Sequence, residues 1–214
     1  MATPVPTIPK IIIKSIECCV AGKSTISKKL VENKKFILAD DMGLGKTTST
    51  IIAALETGAK KILIICPATL KINWKREIEN YSDRPIFISE GKQFSTEHDF
   101  VIVNYDIMKN FHDPKKKDES LILMSKFDLV IIDEAHYNSF RKLFSQFKNS
   151  FILGVTATPL SSNIKLPMHQ NYDELIVGDT IQSLIDNGFL ARATTYSYDV
   201  GLTSLKVGIN GDYT

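Results

Sequence analysis

The residues predict an α/β domain with a mostly parallel central sheet and helices on both faces. Three observations carry that prediction. From residue 36 onward, short continuous apolar runs alternate with amphipathic segments, the pattern of strands covered on both faces by helices. A glycine-containing loop, Asp40-Asp41-Met42-Gly43-Leu44-Gly45-Lys46-Thr47, joins the first apolar run to a helical segment. A later run, Leu129-Val130-Ile131-Ile132, ends in two carboxylates, Asp133-Glu134. Ligands of parallel sheets gather where the strands end, and both polar stretches fall there.

Taken in order, residues 1–10 hold Pro4, Pro6 and Pro9 and read as an extended arm. Residues 11–35 have helical spacing and suit one or two short helices. Ala21-Gly22-Lys23-Ser24-Thr25 imitates the end of a phosphate loop, but Glu17 stands where the first glycine belongs and no strand precedes it. Strands are predicted at Phe36–Ala39, Lys61–Cys66, Ile86–Ser89, Phe100–Asn104, Leu129–Ile132 and Phe151–Val155. Helices are predicted at Thr47–Glu56, Leu70–Tyr81, Tyr105–Phe111, Phe140–Phe147 and Thr180–Asn187. Asp113–Glu119 is a charged surface loop, and no internal repeat interrupts the pattern.

Composition sets limits. With 214 residues, 43% hydrophobic and 23% charged, the chain is an ordinary globular one, long enough to bury a core. A net charge of +2 does not by itself argue for nucleic acid. Lysines concentrate in the N-terminal third, which fits either a phosphate-rich partner or a solvated face. Cys18, Cys19 and Cys66 have no metal-ligand spacing, so a reducing compartment without a structural metal is expected. His98, His112 and His169 read as surface residues. No apolar run approaches the roughly 18 residues of a membrane span, and no signal-peptide profile opens the chain.

The loop at 40–47 has the layout of a phosphate cradle. Its backbone N–H groups and the following helix N-terminus favour anions. Lys46 would reach the β/γ-phosphates and Thr47 Oγ would hold Mg²⁺. Met42, Gly43, Leu44, Gly45, Lys46, Thr47 and Thr48 form the expected nucleotide-binding set. Asp40 departs from the strict pattern, which has glycine there. Asp133, at the end of a buried strand, suits a phosphate-bound Mg²⁺, which takes oxygen ligands. Glu134 could polarise the attacking water. The same Asp-Glu pair, taken alone, equally suits a solvated turn.

Asp133-Glu134-Ala135-His136 is a DEAH sequence, and the chain resembles the first RecA-like P-loop domain of a superfamily 2 helicase or translocase. Asp41–Thr47 is similar to motif I of Swi/Snf-type DNA translocases. Cys66-Pro67-Ala68-Thr69-Leu70-Lys71-Ile72-Asn73-Trp74 resembles motif Ia, and Val101-Ile102-Val103-Asn104-Tyr105-Asp106 resembles motif Ib. Gly154-Val155-Thr156-Ala157-Thr158-Pro159 resembles motif III. The stretch from Tyr172-Asp173-Glu174-Leu175 to Leu184–Leu190 is similar to a segment of bacterial and phage DNA-repair helicases.

The resemblance implies ATP as the nucleotide, with Mg²⁺, and DNA as the partner. Lys46, Asp133 and Glu134 would be catalytic, with Thr47 and Asp133 on the metal. Pro67, Thr69, Lys71, Asn104 and Tyr105 would meet the nucleic acid, largely through its phosphates. Tyr105 and Trp74 could stack on bases, although Trp74 reads first as packing of an amphipathic helix. Lys115–Lys117 suit either phosphate contact or a solvated loop. Thr156 and Thr158 would link the carboxylates to the nucleic-acid edge. His136 would couple the nucleotide to a second RecA-like domain. No glutamine precedes motif I to read adenine; the first is Gln93. Arg76, Arg84, Arg141 and Arg192 fall in no arginine-rich helicase motif, so an arginine finger would come from that second domain.

The expected organisation is an arm at 1–35, a RecA-like domain at 36–192, and the start of an interdomain connection at 193–214. The chain is thus expected to be part of a longer motor, to bind nucleotide weakly alone, and to reside in the cytoplasm, or a host's cytoplasm if of phage origin. An RNA helicase and a non-catalytic nucleic-acid-binding module remain open as alternatives. No membrane partner is expected, and the oligomeric state is not legible.

Overall fold

The computed structural model describes residues 26, 32, 35–111, 120–135, 147, 149–159, 172–192 and 194. Seven strands form one sheet: β1 (Lys35–Ala39), β2 (Ile62–Cys66), β3 (Ile86–Ile88), β4 (Phe100–Asn104), β5 (Leu129–Asp133), β6 (Phe151–Thr156) and β7 (Glu174–Ile176). Their order is β3-β4-β2-β5-β6-β1-β7, and every pairing is parallel. The α-helices among the described residues are α1 (Lys46–Glu56), α2 (Lys71–Glu79), α3 (Leu121–Met124) and α4 (Ile181–Asp186).

The apolar runs became strands because a residue with water on neither face has no use for alternation. β2 and β4 are buried at all five positions. Side chains of successive residues enter opposite layers. One layer joins Phe36, Leu38, Ile62, Ile64, Ile102, Ile131 and Leu153 to Ile51, Trp74 and Ile78 of α1 and α2. The other joins Ile37, Leu63, Ile65, Val103, Val130 and Ile132 to Phe111, Ile122 and Phe127. Each such side chain contributes on the order of 1.5–3 kcal/mol on burial.

Six predicted strands are present within a residue or so of their expected bounds. β7 was not predicted: three residues at a sheet edge, one of them exposed, leave no continuous apolar run to read. The predicted helix Leu70–Tyr81 is a 3-10 turn, Ala68–Leu70, followed by α2. The segment Tyr105–Asn110 is also 3-10 rather than α-helical. α3 was missed, being four residues long. The predicted helix Phe140–Phe147 lies outside the described residues except for Phe147, as does most of the N-terminal arm.

Because all strands run in one direction, Asp40, Pro67, Tyr105, Glu134 and Ala157 all emerge at one edge of the sheet. The register brings the key strands together: β6 lies between β1 and β5, pairing Thr156 with Ala39 and Val155 with Asp133.

Candidate active site

The glycine loop is shaped by two left-handed residues, Gly43 at φ 83° and Gly45 at φ 76°. A side chain at either would be strained whatever the space around it. Gly45 is also the N-cap of α1, which has no side-chain cap and no acid in its first turn. The positive end of α1 therefore faces the loop without a built-in anion. Lys46 Nζ donates to the carbonyl oxygens of Asp40 and Asp41, both at 2.8 Å. Met42, at the loop tip, is 80% exposed.

Asp40 explains itself in three dimensions. Its Oδ1 accepts from the Gly178 N–H at 2.8 Å, tying the loop to the segment after β7. A Cβ at Gly178 would lie 2.5 Å from that oxygen, so any larger residue there would push the carboxylate aside. Burial raises the Asp40 carboxyl above its ordinary range; the Gly178 hydrogen bond and Lys46 oppose the rise.

Asp133 ends β5 and is held at both oxygens. Oδ2 accepts from the Trp74 indole at 2.9 Å, and Oδ1 accepts from the Glu134 N–H at 3.1 Å. Burial raises its pKa; the Trp74 bond opposes this, Glu134 reinforces it, and the Lys46 ammonium lowers it. Lys46 and Asp133 therefore share one electrostatic field although 87 positions separate them (133 minus 46). Burial, with Asp133 next, also pushes the neighbouring Cys66 thiol up to about 12, so that it stays protonated. Glu134 sits at φ 56°, a left-handed conformation that costs a non-glycine residue on the order of 1 kcal/mol. The turn is pinned by the Ala135 N–H, which donates to Val155 O at 3.0 Å. Gly154 makes room for it: a Cβ there would meet Tyr172 at 2.8 Å and Ala135 Cβ at 2.9 Å.

Thr156 is buried between the loop strand and the carboxylate strand, and its Oγ1 accepts from the Thr158 N–H at 3.1 Å. Thr158 is exposed beyond it. Thr48 follows Thr47 on α1 and donates to Glu77 Oε2 of α2 at 3.3 Å. His136 lies outside the described residues.

The expected nucleic-acid set divides. Thr69 is exposed and Pro67 half-buried at the strand-end edge, as a contact would need. Lys71 is half-buried, with Nζ donating to Ser89 O at 2.9 Å. Asn104 and Tyr105 are more enclosed. Asn104 is 5% exposed, and its amide donates to Asp106 at 3.3 Å. The Tyr105 hydroxyl is buried, and burial followed by Asp133 raises its pKa. That half-buried ring packs against the second core layer. Trp74, 1% exposed, does pack as expected. Its bond to Asp133 was missed, because nothing in the local pattern says which group a buried indole will find. Arg84 is likewise occupied at the opposite rim, by Asp99 at 2.7 Å and the carbonyls of Ala59 and Lys60.

A parallel sheet with a glycine phosphate loop on β1, an acidic pair on β5 and a threonine turn on β6 defines a first RecA-like domain of the superfamily 2 helicase type. The chain belongs to the ResIII family, described as the res subunit of type III restriction enzymes, whose model matches residues 10–161. It is 35% identical over 152 residues to a Bacillus subtilis protein named as an uncharacterized ATP-dependent helicase, YqhH, covering 65% of this chain and 26% of that one. Among solved structures it is similar to a Sulfolobus solfataricus SWI2/SNF2 ATPase core in complex with dsDNA. That match has TM-score 0.52 and 25% identity, over 66% of this chain and 31% of the other. The type ISP restriction-modification enzyme LlaGI shares the fold at TM-score 0.59 and 17% identity, over 80% of this chain and 20% of its own. The chain spans about a quarter or less of the length of the curated relatives it matches. No helix among the described residues is long and apolar enough to cross a membrane.

Proposed function

We propose that this chain is the ATP-binding part of a DNA helicase or translocase, in which ATP hydrolysis drives movement along DNA. The observation that carries the reading is the register: β6 alone separates β1, which leads into the Lys46 loop, from β5, which ends in Asp133, so both come out at one edge of the sheet. A phosphate on the loop would meet a cation at the start of α1, with the carboxylate that ends β5 at the same edge. Relatives bearing helicase and SWI2/SNF2 names support ATP as nucleotide and DNA as track.

In this mechanism the loop N–H groups and the α1 N-terminus bind the phosphates, and Lys46 turns from loop carbonyls to the β/γ oxygens. Thr47 Oγ and Asp133 would hold Mg²⁺, which when bound neutralises the phosphate oxygens. The donor set fits such an ion: a hydroxyl and one carboxylate, both hard oxygens. Glu134 orients the water and takes its proton. Thr156 and Thr158 relay the arrangement toward the exposed edge with Thr69, where a phosphate backbone would lie. A second RecA-like domain, following the unit at 36–192, would supply the arginine finger, worth about 10³–10⁵ in rate. His136 would face that domain.

The test is ATP turnover by the protein carrying both domains, with and without duplex DNA, in wild type and Lys46→Ala. DNA should stimulate the wild type, and the variant should lose at least about 100-fold. Absence of stimulation, or unchanged turnover in the variant, overturns the reading. Stronger stimulation by duplex RNA would transfer it to RNA.

A further inference from the structure

Helix α2 touches both halves of the site through one face. Glu77 accepts from Thr48 of α1, and Trp74, one turn earlier, donates to Asp133 of β5. The helix cannot slide freely, since Ile78 and Trp74 are both sealed into the core between α1 and the sheet. An indole has one N–H and no acceptor, so all of Trp74's polar capacity goes to Asp133 Oδ2. With Oδ1 held by the Glu134 backbone, the carboxylate is fixed about its own axis. Groups that hold a metal ligand in this way set its orientation.

We infer that Trp74 is a positioning residue: its indole N–H aims the Asp133 carboxylate at the cation carried by the bound nucleotide. The inference rests on the reading of Asp133 as a metal ligand and adds the reason that ligand is held in one orientation. It also gives the motif Ia helix a task inside the site. The helix that begins beside the exposed Thr69 ends its first two turns on the metal carboxylate and on the loop helix. A tryptophan serving only as packing could be replaced by phenylalanine without consequence for metal binding.

The experiment measures Mg²⁺-dependent binding of N-methylanthraniloyl-ADP, excited directly, by this chain and by Trp74→Phe. Phenylalanine keeps most of the apolar volume and removes the donor. The Mg²⁺ concentration for half-maximal binding should rise about tenfold or more, with Mg²⁺-free affinity unchanged. An equal Mg²⁺ requirement in the folded variant overturns the inference. Trp74 is the chain's one tryptophan, which provides a second measurement that needs no Trp74 variant. Its emission should shift when Mg²⁺ and ADP are added to the wild type and should not shift in Asp133→Asn. If Trp74→Phe fails to fold, a wild-type emission indifferent to Mg²⁺ and ADP overturns the inference. Failure of the wild type to bind the nucleotide at any Mg²⁺ concentration is a different result, and removes the nucleotide-site reading as well.

Discussion

The two rims of the sheet are built on different terms. At the rim where strands begin, charges close local accounts. Asp128 accepts from the backbone N–H groups of Lys60 and Lys61 at 2.8 and 2.9 Å. Arg84 clamps Asp99 and two carbonyls while lying over the Phe100 ring at 4.9 Å. At the rim where strands end, carboxylates are buried against their preference, and Lys46 rests on the carbonyls of its own loop. Among the described residues each rim has one left-handed non-glycine residue, and even these differ. Lys126, at φ 49°, follows the end of α3, where a left-handed residue is the usual way to stop a helix. Glu134, at φ 56°, follows a strand and ends no helix. One rim holds the sheet together; the other gathers the loop lysine and two strained carboxylates at the ends of the strands.

The sharpest way to break this contrast is Glu134. Replacing it with glutamine should cost on the order of 100-fold or more in ATP turnover while leaving nucleotide affinity within a few-fold, measured in the two-domain protein. Replacing it with glycine should do the same to turnover yet raise the unfolding free energy by about 1 kcal/mol, because glycine accepts the left-handed conformation. A Glu134→Gly protein that is both inactive and less stable would show that no strain is stored there. Arg84→Ala should behave in the opposite sense. It loses a half-buried ion pair and two hydrogen bonds from a charged donor, about 2 kcal/mol by chemical denaturation, with nucleotide affinity unchanged. A weaker effect is expected at Gly178→Ala, whose new methyl would intrude on Asp40. Loss of that hydrogen bond should cost about 1 kcal/mol and loosen nucleotide binding a few-fold, which thermal shift with and without nucleotide would read.

The fold was legible because it rests on continuous patterns. Runs such as Ile62–Cys66 and Phe100–Asn104 admit few structures other than buried strands, and the loop and acidic pair fall at their ends by chain order alone. Legibility failed where the partner of a side chain is chosen across the sheet. Asp40 read as a defect in a phosphate loop; it is the acceptor for a glycine 138 positions away. Asn104 and Tyr105 share a motif with residues at the exposed edge, yet the end of β4 turns them inward. Trp74 was expected to pack, and it does, but its one hydrogen bond is fixed by the register of β2 against β5 and by the seat of α2. Spacing along the chain carries none of that information. Short elements failed too, since β7 and α3 owe their existence to neighbours rather than to their own residues.

The smallest predicted effect is a pH dependence at the rim where strands end. Asp40 and Asp133 have pKa values raised mainly by burial, so the folded chain binds their protons more tightly than the unfolded chain does. Where folding favours the protonated form, stability is full below the ordinary carboxylate pKa and falls as pH rises through the folded value. Their joint contribution to stability, measured without nucleotide or divalent cation, should therefore decline on going up from pH 4. Asp133→Asn should flatten that decline, since asparagine keeps an acceptor for Trp74 and carries no charge to desolvate. Asp128→Asn at the other rim gives the control: its carboxylate serves two backbone N–H groups, so the substitution should lower stability without removing the slope. If Asp133→Asn leaves the slope intact, burial of the carboxylate costs nothing measurable, and the two rims differ in geometry but not in the electrostatic work of folding.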